Sequence, residues 1–483
     1  MVWWRSWRLP LRVSRAERTG RLADPFCRAL LVLAFAGAKL DALWGKRPLH
    51  SGDQFWWDQI GRLSLGDAGF WLAERPFTVP LLHKLAGFSE SRVIVLQGLL
   101  DFLAWVALAH VVSSLMRPLA PKLFAFGILL ALGLTSGVQG WNAVIRSESA
   151  SNSFLVLTLA SLLASVHAAS RLRARALEPG VQRRSQRITL AWAALTLTSA
   201  VLAAFARDNN AYALLVASPF APLGLLAAGS RPRAARREFF AALAVSAGLL
   251  VVATASRVNA EAAKRYEWPL MNVVFQRVLP SRAHTAYFAH ELGMPLSPAL
   301  LGRSRRFMSA DGWYAAKAPE LAPFRDWLLT RGYAGYQRYL LTHLTATTRA
   351  AWQNFVAVAG DIEHRHTKRT DNALSSVLDR LLVDPWASNP GLSVLGLSAL
   401  GIVGLCAPLA EFRLLAAFSL LCLSLALTQA YVCYHADAME VARHSLNVGL
   451  CLRLSGASAL SLLVWLASLA AARRAARASP SAA

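Results

Sequence analysis

Apolar runs of roughly 20 residues, each able to cross a bilayer core of about 30 Å, recur along this chain between arginine clusters. Nothing constrains its fold more. Inside hydrocarbon every backbone polar group must find its partner within the segment, so such runs fold as helices. The pattern predicts an all-α integral membrane protein of about 10 transmembrane helices, at 26–44, 92–115, 123–138, 153–169, 188–206, 211–228, 239–256, 390–410, 414–434 and 448–471. Composition agrees, with 55% hydrophobic and 16% charged residues in 483. A soluble chain of this length would instead be expected to divide into a few domains.

The placement of the basic residues sets the expected orientation. Arg5, Arg8, Arg12, Arg15, Arg18 and Arg21 precede the first run. The loop "SRLRARALEPGVQRRSQR" (170–187), the turn "SRPRAARR" (230–237) and the tail "ARRAARASPSAA" (472–483) carry further clusters. Short cytoplasmic loops collect Lys and Arg, so both termini are expected inside a bacterial inner (plasma) membrane. The domain reading is then a cytoplasmic N-terminus (1–25), a membrane domain (26–256) with a first external loop at 45–91, a mainly helical external (periplasmic) domain at 257–388, and the last three spans at 389–471. Long loops escape the charge bias, so the basic residues of 257–388 do not oppose its external placement. The net charge of +24 also suits nucleic acid, but that needs basic residues interleaved with stacking aromatics on a soluble domain. No nucleic-acid partner is expected.

Cys27, Cys406, Cys422, Cys433 and Cys451 lie in or beside apolar runs and form no disulfide framework or CxxC pair. They read as buried thiols acting as small hydrophobes. No small-residue cleavage site follows the first run, so no removed signal peptide is expected. No internal repeat of the kind that builds many transporters is apparent.

Polar groups gather at the predicted external ends of the spans. The stretch "SGDQFWWDQIGRL" (51–63) sets Asp53 and Asp58 around Phe55, Trp56 and Trp57. Beyond it come Glu74 and Arg75, Arg146 and Glu148, Arg207 and Asp208, and then His435, Asp437, Glu440, Arg443 and His444. Ionisable groups at spans are costly and usually face a cavity, which makes the cluster a candidate site. Each member also has a plainer reading. Asp53 and Asp58 suit a turn, with the tryptophans in an interfacial aromatic belt. Glu148 and Arg146 suit a local pair, and Arg207-Asp208 a helix cap. Asp101, inside a span, either neutralises Lys39 or lines a cavity, and the structural pair is favoured. His284, His290, His343, His364 and His366 lie in the 257–388 segment, but "DIEHRH" (361–366) matches no metal spacing, so no metal ligands are assigned. No GxGxxG, P-loop or GxSxG stands out.

The order of these motifs resembles the GT-C class of polytopic glycosyltransferases, distantly like the protein mannosyltransferase and arabinosyltransferase types. Asp53-Gln54-Phe55-Trp56-Trp57 is loosely similar to the acidic motif of that class's first external loop. "ERPFTVPLL" (74–82) resembles an Arg-Pro-x-x-x-Pro-Leu stretch, "RSESASNSFLVL" (146–157) a Ser-Glu motif entering a span, and "EVARHSLN" (440–447) an Arg-bearing segment between the last spans. "ARDNNAYALL" departs from the class by placing Asp208 where Pro is common.

The resemblance implies a GT-C-like bundle that takes a sugar from a polyprenyl-phosphate donor to a cell-envelope glycan, lipid or protein on the external face. Such a transfer needs a base at the acceptor hydroxyl and cations at the leaving phosphate. Asp53 is then the expected base, with Asp58 in reserve. Arg207, Arg443 and His444 are expected at phosphate, Arg75 and Glu148 around the cavity, and Trp56 and Trp57 at sugar or lipid. A divalent cation at Asp53 is compatible but unforced. A transporter or flippase of an envelope lipid, a glycan ligase or polymerase, and an inactive scaffold remain open alternatives.

Overall fold

The structure is a computed structural model that describes residues 15–49, 54–174, 179–229, 236–306, 318–360, 373–439 and 441–478. Among the described residues it is helical without any strand, apart from one parallel bridge between Leu49 and Val144. The first half runs α1 (Arg15–Leu43), α2 (Gln54–Arg62), α3 (Thr78–Leu85), α4 (Glu90–Ser114), α5 (Leu119–Gly133), α6 (Ser147–Ala174), α7 (Pro179–Ala204), α8 (Asn210–Ala217), α9 (Phe220–Ala227) and α10 (Arg236–Ala262).

The middle holds α11 (Glu267–Val273), α12 (Arg282–His290), α13 (Tyr333–Thr342), α14 (Leu344–Gln353), α15 (Phe355–Gly360) and α16 (Ala373–Leu382). Then follow α17 (Pro390–Leu405), α18 (Ala410–Ala436) and α19 (Leu446–Ala478).

Among the described residues, seven helices are long and apolar enough to cross a membrane: α4, α6, α7, α8 with α9, α10, α18 and α19. Two bent pairs raise this to nine if each is one span. One is α5 with the turn to Ala143, bent by 53°; the other joins Ala373–Trp386 to α17 at 79°. This is the make-up of a multi-pass membrane protein. α1 stands outside the set, with Arg28, Lys39 and Asp41 along its length.

α6 is the most enclosed span, packed along α4 and α7. Its sequence explains why. Small hydroxyl residues on it bond back to the preceding turn, Ser153 to Ser149 O, Thr158 to Phe154 O and Ser161 to Leu157 O. Their polar atoms are thereby satisfied while neighbouring backbones approach closely.

Deep in the same layer, Lys39 of α1 donates to Asp101 of α4 and to Gly133 O. Asn142 Nδ2 donates to Asp101 at 2.9 Å, and Ser149 Oγ donates to Asn142 Oδ1 at 2.8 Å. This is the structural pair expected of Asp101.

Helix ends alternate between two sides. At one end Arg117 pairs with Glu411 at 3.3 Å and Lys122 with Asp24 at 3.2 Å. Gly229, at φ +81°, closes α9 in the left-handed conformation that glycine adopts without strain, against Arg413. The other end carries the candidate site.

Residues 257–388 divide in two. Those from α11 to α13 build a core of their own around Phe275, Phe288, Phe324, Trp327 and Tyr336. α15 instead packs on α18 and α19 and gives Phe355, Val358 and Ala359 to the main core. α16 is tied to the turn after α5, where Ser136 donates to Asp379 and Ser375 donates to Leu134 O.

Candidate functional site

Three short connections meet at the second end: the turn between α5 and α6, the turn between α7 and α8, and the segment between α18 and α19. The first runs through a helical turn, Ser136–Gln139, into a 3₁₀ turn, Gly140–Ala143, followed by an extended Val144. Leu49 donates to Ala143 O at 3.0 Å and accepts from Ile145 N at 3.1 Å. The chain arriving from α1 is thereby pinned beside the entry to α6. Trp141 and Ile145 are wholly buried there and hold the turn in place.

α6 starts at Ser147, and Glu148 lies in its first turn, where the helix dipole favours a negative charge. The Glu148 side chain is fully buried. Arg443 Nη1 donates to its Oε1 at 3.1 Å, and Arg207 Nη1 stands 3.8 Å away. Arg146 lies within electrostatic reach of the same carboxylate.

Arg207 Nη2 reaches His444 Nδ1 at 2.8 Å, and Arg207 Nη1 reaches Arg443 O at 3.4 Å. A guanidinium only donates, so Nδ1 accepts from Arg207. The other ring nitrogen, Nε2, faces Arg443 Nη2 at 3.4 Å and Asp437 Oδ2 at 3.5 Å. The backbone of this segment is fixed from behind by Asn209 Nδ2 and Cys433 Sγ, both on His444 O.

Asp437 is buried just beyond α18. It accepts from Met439 N at 2.9 Å and from Asn272 Nδ2 of α11 at 3.3 Å. Burial pushes its carboxyl up to about 6, against those hydrogen bonds and Arg443, which pull it down.

A second ion group adjoins the first. Arg265 grips Asp208 through Nε at 2.9 Å and Nη2 at 3.0 Å, the two-pronged geometry a guanidinium offers a carboxylate. Arg75 and Arg207 both lie within electrostatic reach of Asp208. Arg265 also bonds to Asn259 Oδ1 and Ala73 O, which fastens α10 to the loop after α2. Among the described residues, Arg75, Arg146, Arg207, Arg265 and Arg443 all stand in contact with, or within electrostatic reach of, the two carboxylates Glu148 and Asp208. Such an excess suits an anion better than a cation. Among the described residues no group of three or more His, Cys, Asp or Glu side chains is placed to hold a metal ion.

Of the site residues expected from sequence, Glu148, Arg207, Arg443 and His444 come together in direct contact, and Arg75 stands one group away, by Asp208. Asp53 lies outside the described residues, as do Glu440, His364 and His366. Asp58 is engaged by His83, whose Nδ1 is 2.6 Å away. Trp57 is 4% exposed and packs with Val79, Ala86, Val93 and Ile145, so its ring serves as core between α2 and the α6 entry. Trp56 is open to its surroundings and sits edge-on to Phe55.

Sequence reasoning passed over Arg265, His83, Asn272 and Arg277. Arg265 had one legible sign, its position just past an apolar run and opposite "RDNN". The other three had none.

No protein-family model matches the chain, and no curated protein matches it in sequence.

Proposed function

We propose that the protein is a membrane glycosyltransferase, which transfers a sugar from a polyprenyl-phosphate donor to a cell-envelope acceptor on the external face. The observation that carries this reading is the meeting of Glu148, Arg207, Arg443 and His444 at one end of an apolar helical bundle, in surroundings with more arginines than carboxyls. Phosphate is the anion a lipid brings to such a place, and fixed cations at the leaving group lower the barrier to its departure.

The acceptor hydroxyl attacks the anomeric carbon of the sugar. The bond from that carbon to the phosphate oxygen breaks, and polyprenyl phosphate leaves with its charge facing Arg207 and Arg443. The hydroxyl proton passes to a carboxylate. We assign that role to Asp53, four residues beyond Leu49, whose backbone is bonded beside the entry to α6. Asp58 is the reserve, with His83 to orient it. Glu148 holds the two arginines in register. In this reading the chain makes ten crossings, counting α1 and both bent pairs, with both termini in the cytoplasm of a bacterial inner membrane.

The test is transfer from a radiolabelled polyprenyl-phosphate sugar by protein in proteoliposomes. Asp53→Asn should lower the rate by roughly 10²–10⁴-fold, the range typical for losing a general base. Arg443→Gln should lower it by a similar order through lost charge stabilisation. Undiminished transfer by Asp53→Asn sinks its role as base. A flippase or transporter of the same lipid would move the donor across the bilayer with the sugar bond intact, in wild type and Asp53→Asn alike.

A further inference from the structure

The helix after α11 widens into a single π turn, Val274–Val278, a feature frequent at functional sites. It carries Arg277. The guanidinium carbon of Arg277 lies 3.9 Å from the centroid of the Tyr434 ring, near the end of α18. Among the described residues, its buried Nη1 has no hydrogen-bond partner and the side chain makes no ion pair. On the same turn, Gln276 Nε2 is a second buried donor without a partner among the described residues.

A guanidinium is always charged and has five donors to satisfy. Stacked on one aromatic face, its charge is partly met, but its in-plane N–H groups are not. A buried donor left unmade calls for an explanation, and an anion that arrives later is one.

The position supports this. Asn272, on the helix that leads into the π turn, is hydrogen-bonded to Asp437. Asp437 faces His444 at 3.5 Å and lies within electrostatic reach of both Arg443 and Arg277. Arg277 and Arg443 thus share Asp437 as an electrostatic neighbour, and Arg277 belongs to the part of the chain with its own core.

We propose that Arg277 binds the phosphate group of the lipid-linked substrate, approaching it from the α11–α13 side while Arg207 and Arg443 approach from the bundle. This rests on the glycosyltransferase reading above and adds to it a ligand from a second part of the fold. Tyr434 acts as a positioning residue that holds the guanidinium flat.

The test measures binding of polyprenyl phosphate, and of neutral polyprenol, to the full-length protein in detergent. Wild type should prefer the phosphate. Arg277→Gln should weaken it by roughly ten- to a hundredfold, as expected for losing a charged hydrogen bond. Arg277→Lys should fall between, and Arg338→Gln, exposed in the same region, should bind as wild type. The unliganded thermal midpoint of Arg277→Met should equal or exceed that of wild type, because an unsatisfied buried donor is removed. A cation with only a structural role would give a lower midpoint instead.

Wild-type phosphate affinity in Arg277→Gln overturns the proposal and leaves the glycosyltransferase reading standing. Equal binding of polyprenol and polyprenyl phosphate by wild type overturns both. Inorganic phosphate that competes at the affinity of the lipid, and needs Arg277 to do so, reassigns the site to free phosphate and overturns the lipid-linked part.

Discussion

Lys39 and Asp101 show what a single residue can reveal here. An acid in the middle of an apolar run must be compensated, and Lys39 is the cation on the preceding run, so the pair is legible in the sequence. Its further partners, Asn142 and Ser149, are not, because they come from a turn that sequence reads only as polar. Removing one ion strands the other in a buried place. Lys39→Met should cost about 3–5 kcal/mol, and Lys39→Met with Asp101→Leu should recover most of it. Unfolding in mixed detergent micelles measures both.

Asp437 makes a different prediction, through pH. Its ordinary value is 3.8 and burial raises it to about 6. Below pH 4 the carboxyl is protonated in both folded and unfolded chains, and burial carries no penalty. Between pH 4 and 6 the unfolded chain releases this proton while the folded one keeps it, so stability falls as pH rises. The loss is complete above pH 6 and amounts to about 3 kcal/mol. Asp437→Asn keeps the acceptor for Met439 N and removes the titration. The thermal midpoint of wild type relative to Asp437→Asn should therefore drop across that window, and a constant difference would show that Asp437 is not held protonated. Arg265 and Arg277 mark the limit of reading at this scale. In a stretch rich in arginine, no local pattern separates a cation that reaches the site from one that stays in solvent.

Among elements, the spans were legible where apolarity is continuous and blurred where the chain turns within it. Residues 123–138 read as one span, yet the helix closes at Gly133 and the chain bends by 53° into Ser136–Ala143. Ser136 and Leu134 are held there by Asp379 and Ser375, residues some 240 positions away. Residues 390–410 likewise read as one run, but α17 ends at Leu405 after a 79° bend from the preceding segment. Hydropathy reports how apolar a stretch is and says nothing of its direction.

What the sequence does offer for α17 is glycine. A Cβ at Gly404 would sit 2.6 Å from Ala416 Cβ of α18, and one at Gly401 would sit 2.5 Å from Leu420 side-chain atoms. Small residues let two helices approach where lipid offers no hydrophobic drive to pair them. Gly404→Val should force α17 from α18 at a cost of about 1–3 kcal/mol. Gly396→Ala, with nothing within 4 Å, should leave the thermal midpoint in detergent unchanged. Equal behaviour of the two variants would mean that α17 and α18 do not pack closely in the bilayer.

For the whole molecule, the decisive property is that its charges are sorted by end. The carboxyl–arginine group of Glu148, Arg207 and Arg443 occupies one end, and the Arg117–Glu411 and Lys122–Asp24 pairs occupy the other. This sorting was legible because each hairpin returns the chain to the side it left, so counting spans assigns ends. The convergence of side chains within one end was not, since it depends on which spans are neighbours. The end of α6 and the start of α7 belong to the basic side, and the loop from α2 to α3 to the site side. In a membrane, basic loops stay in the cytoplasm, so the site should face outward.

Two single cysteines in a background without the five native ones decide this. Arg183→Cys on α7 and Gly66→Cys in the turn after α2 are both at exposed positions. In sealed right-side-out vesicles an impermeant maleimide should label Gly66→Cys at once and Arg183→Cys only after detergent is added. Labelling of both from one side would place an even number of crossings between them, against the three, α4, α5 and α6, of the expected topology. Labelling of Arg183→Cys alone would turn the arginine cluster toward the cytoplasm, where an externally facing polyprenyl-phosphate donor cannot reach it.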